Sequence, residues 1–401
     1  MGWEKGDGDC CAQNMLRIKR KNYCPHCWPA RARGHFFDRI EYAVKKVFVF
    51  DFADVRLPDQ MIISIYKILH KLGVVHFESH PDRTKMKNRS YIFFEEAQNR
   101  KIKIWAVKFF NNYTGECVFE FNNKTYRYRG TPLSLLPKKK IDIDDKMRIK
   151  LILAKNNLPT PRGKSFWSKS KAYEYGLKLG FPLVVKPNNG SLSRHVATNI
   201  QSVEDLEKAI EIARQYQPEV IVEKYLSGKL YRVTVVNQNI VYVCQKRLAS
   251  VVGDGISTIQ KLVDNKNLLE KRTVENQTLK KIFVPAETNP GTVLCEGQKL
   301  IIGEKYTLDG GCEIENVKSN VHAKNIEMFL RAAEVLGQPL VGFDFICPDI
   351  SKSFNEQECG IIEANSFPYL DMHQFPSFGK AESVAPDVLN EVFVYLEHYC
   401  R

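Results

Sequence analysis

The sequence predicts an α+β protein of more than one domain, and three observations carry that reading. A chain of 401 residues exceeds one ordinary small domain, so two or three are expected. Short apolar strands and amphipathic helices succeed one another along most of its length. Charged side chains also interrupt strongly apolar strand text: Lys186 closes Leu183-Val184-Val185, and Asp344 sits within Val341-Gly342-Phe343-Asp344-Phe345-Ile346. Residues of that kind point to a site mounted on strands.

The elements follow in chain order. Residues 1–43 mix Gly, Cys and Arg with little periodicity and read as an irregular basic N-terminal arm. Cys10, Cys11, Cys24 and Cys27 fall there, and Cys24-Pro25-His26-Cys27 with His35 has the two-thiolate spacing of a zinc site. No second pair stands at matching spacing, so the arm is the preferred reading. Order is expected from Val47-Phe48-Val49-Phe50, a strand, and a helix follows over Gln60 to Leu69. Further on come a helix near residues 91–100, strands at 103–107 and 117–121, and a turn at Asn122-Asn123 into Tyr126-Arg127-Tyr128. Together these predict an α/β domain over residues 44–140, with Lys138-Lys139-Lys140 as a hinge or linker.

Two further parts are expected, 141–226 and 227–401. Asp144 and Asp145 suit a helix N-terminus, Met147, Leu151 and Ala154 form an apolar stripe, and Asn156-Asn157-Leu158-Pro159 stops the helix. Lys146 and Lys150, four apart, share one face of it. A second helix spans about Ser170 to Leu179 and is closed by Gly180 and Pro182. A third begins at Ser202, with Asp205 completing a capping box, and buries Leu206, Ile210 and Ala213. Val220-Ile221-Val222 is a buried strand, and Tyr231 to Lys246 reads as two strands turning at Asn237-Gln238-Asn239.

The net charge of +13 is uneven: residues 1–140 hold 27 Lys and Arg against 14 Asp and Glu, whereas residues 141–401 hold 32 of each. The first third therefore suits either an anionic partner or a solvated lysine-rich face. Eleven cysteines without framework spacing suit reduced thiols. No apolar run approaches a membrane span and the start lacks a signal-peptide core, so a cytoplasmic protein without a membrane partner is expected.

The chemistry lies in two places. Lys186 is delivered by a buried strand to a turn, Asn188-Asn189-Gly190-Ser191, whose backbone amides can face an anion; a lysine there suits triphosphate. Taken alone, a lysine at a strand end is usually just solvated. Downstream, the two-residue strand period puts Phe343 and Phe345 on one face and Asp344 on the other, and it puts Glu363 with Asn365 in Ile361-Ile362-Glu363-Ala364-Asn365. A hairpin would bring the three oxygen donors together, a set that favours Mg²⁺ or Mn²⁺ bridging nucleotide phosphates over zinc.

A wider pattern surrounds these residues. It comprises Asp145-Lys146 with Lys150, Leu158-Pro159-Thr160-Pro161, Val184-Val185-Lys186-Pro187, Val222-Glu223-Lys224-Tyr225-Leu226-Ser227-Gly228 and Tyr231-Arg232-Val233. Val252-Gly253-Asp254-Gly255, Ser257-Thr258-Ile259, Gly342-Phe343-Asp344, Glu363-Ala364-Asn365 and Met372-His373-Gln374-Phe375-Pro376 continue it. In this order, from about Asp144 to Tyr395, the chain resembles the ATP-grasp ligases, notably the ligase module of cyanophycin synthetase and the glutathione-synthetase half of the bifunctional bacterial glutathione enzyme. The resemblance implies two α+β subdomains clasping ATP behind a pre-ATP-grasp domain. It also implies an ATP-dependent carboxylate–amine ligase working through an acyl phosphate on small-molecule acid and amine substrates.

Carried over by position, Lys146 and Lys186 would bind the phosphates with Ser191, and Glu223, Lys224, Tyr225 and Leu226 would hold adenine, Glu223 accepting from its amine. Lys246 would lie near the transferred phosphate with Arg247 beside it, Arg232 and His373 would contact substrate or acyl phosphate, and Asp344, Glu363 and Asn365 would hold magnesium.

Nucleic acid is not an expected partner, and a homodimer is allowed because relatives of the fold often pair. Nothing after Arg401 suggests the polymer synthesis of cyanophycin synthetase, and the first 140 residues do not resemble a glutamate-cysteine ligase, so a stand-alone ligase is expected. A nucleotide binder without turnover, holding an anionic partner, is the alternative. Three departures from the pattern stand out: Ser193 and His195 where relatives have glycine, Leu230 in place of an acidic ribose-binding residue, and Leu308-Asp309-Gly310-Gly311 in place of a Ser-Thr-Gly-Gly segment.

Overall fold

The computed structural model describes residues 59–86, 88–189, 195–268, 282–303, 306, 311–366 and 368–399. The basic arm with its cysteines, the Val47–Phe50 strand, Ser191, Ser193 and Leu308-Asp309-Gly310 lie outside the described residues. None of the described helices is long and apolar enough to cross a membrane.

The first region is a meander, β1 (Val75–Glu78), β2 (Ile104–Phe109), β3 (Asn112–Phe121) and β4 (Lys124–Arg129), paired antiparallel in that order. Asn122 and Asn123 both take positive φ, 49° and 61°, as a two-residue hairpin turn between β3 and β4 requires. Helix α1 (Asp59–Lys71) covers one face through Tyr66 and Leu69 against Val75, Val107 and Val118. The other face, with Ala106, Cys117, Phe119 and Tyr128, packs on α2 (Asn88–Asn99) and on the C-terminal α9 (Ala385–Tyr399). Because that core also contains Val236, Tyr242 and Leu340, the N-terminal sheet and the C-terminal part of the chain share one hydrophobic interior. Lys139 is fastened rather than free: its N–H donates to Gly337 O at 2.8 Å and its ammonium to Glu334 O and Val335 O at 3.3 Å.

Next comes α3 (Lys146–Lys155), capped by Asp145, whose carboxylate accepts from Arg148 N at 2.9 Å. Its buried face differs from the apolar stripe the sequence suggested. Met147, Ile149, Lys150 and Leu153 turn inward, whereas Leu151 is 60% exposed and Ala154 is exposed too. The cause is Lys150, an inward lysine that a count of apolar residues assigns to solvent. The exposed side of α3 borders an open groove of about 460 Å³, shared with residues 157–163 and Phe354.

A four-stranded antiparallel sheet follows, in the order β5 (Gly163–Phe166), β8 (Val220–Lys224), β6 (Leu183–Pro187), β7 (Ala197–Ile200). Helices α4 (Lys169–Leu179) and α5 (Val203–Tyr216), capped by Ser168 and Ser202, cover one side of it. Leu183, Val185, Val220 and Val222 face those helices. By the strand period, Lys186 and Glu223 face the other way.

The last sheet has five antiparallel strands, β13 (Glu313–Asn316), β10 (Ile240–Arg247), β9 (Lys229–Val236), β14 (Leu340–Cys347) and β15 (Gly360–Asn365). A two-stranded ribbon, β11 (Ser250–Val252) with β12 (Lys299–Ile301), packs on α6 (Ile259–Asn267) beside it. On one face of the large sheet Tyr231, Val233, Val243, Val341, Phe343 and Phe345 bury against α7 (Ala323–Leu336) and α3. Each large side chain removed from water there contributes about 1.5–3 kcal/mol, which pins the register. The opposite face bears Arg232, Lys246 and Asp344 beside Cys244, and its Val236, Tyr242 and Leu340 end joins the N-terminal core.

Candidate active site

Strand register assembles the polar face. Asn316, Cys244, Arg232, Asp344 and Glu363 stand directly opposite one another across all five strands. The neighbouring row holds Tyr242, Thr234, Gly342 and Asn365. The hairpin expected from the sequence is present as β14 and β15, and it brings Asp344, Glu363 and Asn365 to one face. A register shift after Asp344 lets the β15 segment continue past a bulge.

Asp344 is buried between two cations, with Arg232 Nε at 2.9 Å and Lys246 Nζ at 3.2 Å from Oδ1. Burial alone pushes its carboxyl up, and the charges of Arg232 and Lys246 outweigh that, holding it below the usual range. The Arg232 contact is a charge contact without an aligned N–H, and Arg232 Nη1 is buried with no hydrogen-bond partner among the described residues. That nitrogen lies beside Gly342, where an added Cβ would come within 2.8 Å of it and 2.6 Å of Pro368. A close-packed wall with an unsatisfied guanidinium donor is suited to an anionic group of a ligand.

The facing sheet contributes a buried triad. Glu223, 2% exposed, takes Lys186 Nζ on Oε1 at 2.7 Å and Lys150 Nζ on Oε2. Lys150 also donates to Pro161 O at 3.0 Å, and Lys186 to Ile362 O at 3.2 Å, which ties the small sheet to β15. Burial raises the Glu223 carboxyl, but Lys186 and Lys150 together bring it below its ordinary value. Burial, with Lys186 adding to it and Glu223 opposing, pulls the Lys150 ammonium down to about 8. Gly163, opposite Glu223 in register, leaves room for this packing: a Cβ there would lie 2.5 Å from Glu223 Cβ. Lys146 reaches Glu363 Oε1 at 3.7 Å, and burial holds its ammonium below the usual lysine range despite that partner.

Other predicted residues sit differently. Arg247 takes the opposite face from Lys246 and pairs with Glu315. The Lys224 ammonium turns back to Phe181 O at 2.7 Å and Gly180 O at 3.1 Å, while Leu226 is buried. His373, on α8 (Asp371–Gln374), is fully buried and shares a 2.8 Å hydrogen bond with Thr234 Oγ1. Burial first, then Arg232 and Lys318, push its imidazole down to about 3, so it is neutral. Leu230 stands between Lys246 and Ile346 in register.

Sequence reasoning assigned no role to Lys150 or Asn188. Asn188 is buried, accepts from Met147 N at 3.0 Å and donates to Asp145 Oδ1 at 3.2 Å and Glu219 Oε2 at 3.0 Å, fixing the start of α3 against β6. A signal existed for Lys150 in its four-residue spacing from Lys146.

Among the described residues no group of three His, Cys, Asp or Glu side chains is arranged to hold a metal by itself. Asp344, Glu363 and the Asn365 amide are two carboxylates and one neutral oxygen donor. That set fits Mg²⁺, which keeps part of its shell for phosphate and water.

The arrangement of sheets and cleft is that of the ATP-grasp ligases. The family described as "D-ala D-ala ligase C-terminus" matches residues 160–282. The chain is 31% identical to cyanophycin synthetase of Trichormus variabilis over 263 residues, 62% of this chain and 29% of that protein. It is 27% identical to the glutathione biosynthesis bifunctional protein GshAB of Clostridium perfringens over 268 residues, 63% of this chain and 34% of that one. The fold matches the crystal structure of a bifunctional glutathione synthetase from Pasteurella multocida with a TM-score of 0.61 at 22% identity, covering 78% of this chain and 44% of that one. The chain has the ATP-grasp fold and is similar to the cyanophycin synthetases and the bifunctional glutathione proteins, and it spans about a third of the length of these curated relatives.

Proposed function

We propose that the chain is an ATP-dependent carboxylate–amine ligase that joins an amino acid or small peptide through an amide bond. The observation that carries this reading is the register row placing Arg232, Asp344 and Glu363 side by side, opposite Lys146 and Lys186. A carboxylate is a poor electrophile. Transfer of the γ-phosphoryl to it breaks the β–γ phosphoanhydride bond, releases ADP and creates an acyl phosphate. The amine then attacks the acyl carbon, phosphate leaves and the amine loses a proton.

In this reading Lys146 and Lys186 hold the phosphates, Glu223 to Leu226 hold adenine, and Lys246 with Arg232 Nη1 stabilises charge on the transferring group. His373 is neutral and buried, so it positions Thr234 and the cleft wall rather than moving protons. Magnesium or manganese at Asp344, Glu363 and Asn365 supplies Lewis-acid neutralisation of the phosphates when bound. No protein nucleophile is needed.

The test is ADP release from Mg-ATP by the full chain, with panels of acids alone and then with amines. Release that requires both supports the ligase. ATP binding with no turnover for any pair favours a nucleotide binder instead. The likeness to GshAB over 268 residues favours one narrower reading, condensation of a dipeptide with an amino acid, so the pair that yields glutathione belongs in the panel.

A further inference from the structure

The inward face of α3 contains a lysine where an apolar residue would pack at no desolvation cost. Lys150 lies among Met147, Ile149 and Leu153, and its ammonium is spent on two acceptors, Glu223 Oε2 and Pro161 O. Placing an ammonium there requires a compensating partner, and Glu223 is that partner. Glu223 in turn has Lys186 on its other oxygen, so two cations from separate elements hold one carboxylate at both ends. The phosphate-binding role proposed for Lys186 does not explain Lys150.

We infer that Lys150 is a positioning residue that keeps Glu223 ionised and aimed as a hydrogen-bond acceptor, and thereby sets a preference for adenine over guanine nucleotides. This rests on the nucleotide-binding reading above. Each carboxylate oxygen has a second lone pair after taking one lysine. An ionised, doubly anchored carboxylate can only accept. It matches the exocyclic amine of adenine and opposes the carbonyl oxygen that guanine presents at the same position. Without Lys150, one oxygen of a buried carboxylate loses its partner. The group then gains a proton more easily, and a protonated carboxyl can also donate. Discrimination is lost even where the fold survives.

The charged side chains facing Lys150 are Glu223 from β8 and Lys186 from β6.

The experiment is equilibrium titration calorimetry of the full chain with Mg-ATP and with Mg-GTP, for wild type, Lys150→Met and Lys150→Arg. Lys150→Met should weaken ATP about tenfold while leaving GTP within about twofold, the size expected for losing a hydrogen bond to a charged group. Lys150→Arg should keep the wild-type ATP:GTP ratio, because a guanidinium supplies the same charge and a donor to Glu223. An unchanged ratio in Lys150→Met overturns the inference and leaves a merely structural tie. Should circular dichroism show that variant unfolded, Lys150→Gln decides: it removes the charge but keeps a donor, and a wild-type ATP:GTP ratio in it overturns the inference as well. Wild type binding neither nucleotide sinks the proposed function and this inference with it.

Discussion

The two sheets that face the cleft hold buried charge in different ways. On the four-stranded sheet, Glu223 has a lysine on each oxygen, forming a closed triad in which each charge meets a partner. On the five-stranded sheet, Asp344 is likewise held by two cations, but among the described residues Arg232 Nη1 has no hydrogen-bond partner, and Glu363 meets a distant lysine at 3.7 Å. The first arrangement is anchored within the protein, with a lone pair left on each carboxylate oxygen for a nucleobase amine. The second retains capacity for a ligand. The difference shows where stability and turnover should separate under mutation.

The largest effect should come from opening the closed triad. Glu223→Gln leaves Lys150 and Lys186 buried without a counter-charge, and removing one partner of such a cluster costs about 3–5 kcal/mol. Urea denaturation should show that loss with an unchanged slope; a loss under about 1 kcal/mol would mean that the two lysines find water or neutralise cheaply. On the open sheet the balance reverses. Glu363→Gln, half-buried and next to one lysine, should cost under about 1 kcal/mol of stability yet lower turnover by about 10³-fold, comparable to removing an electrostatic group from a transition state. Turnover within tenfold of wild type would remove Glu363 from the metal seat.

A smaller effect concerns the edge of the same face. The folded-state pKa of His373, about 3, lies below its unfolded value near 6.5, so the unfolded chain binds the extra proton first. Stability should therefore fall as pH drops from about 6.5 toward 3, by at most about 1.4 kcal/mol per unit. His373→Gln should flatten that slope; an identical pH profile in the variant argues against the assignment. Asp145→Ala is the mildest change, removing the α3 cap at about 1 kcal/mol and loosening Lys146. Its KM for ATP should rise more than its kcat falls.

Much of the site was legible because strands repeat every two residues. That period predicts the common face of Asp344, Glu363 and Asn365 as soon as a hairpin is assumed, and the hairpin formed with Asp344 opposite Glu363. Helix caps at Asp145 and Ser202 reflect equally local chemistry, whereas the Ser168 cap of α4 precedes the start expected near Ser170. The α3 stripe was misread because a lysine inside a buried face is invisible to a count of apolar residues. Arg247 was grouped with Lys246 as its neighbour, though adjacent strand residues point to opposite faces.

What the sequence determined by itself was therefore local: the strand and helix content, the caps, the hairpins, and which side chains share a strand face. Only the tertiary structure decided which buried charges meet. Lys150 and Glu223 are 73 residues apart and Arg232 and Asp344 stand on different strands, so their pairing depends on packing of whole sheets. The physical reason is that a charge buried without a partner is costly, and the partner that relieves the cost is chosen by three-dimensional proximity rather than by spacing along the chain.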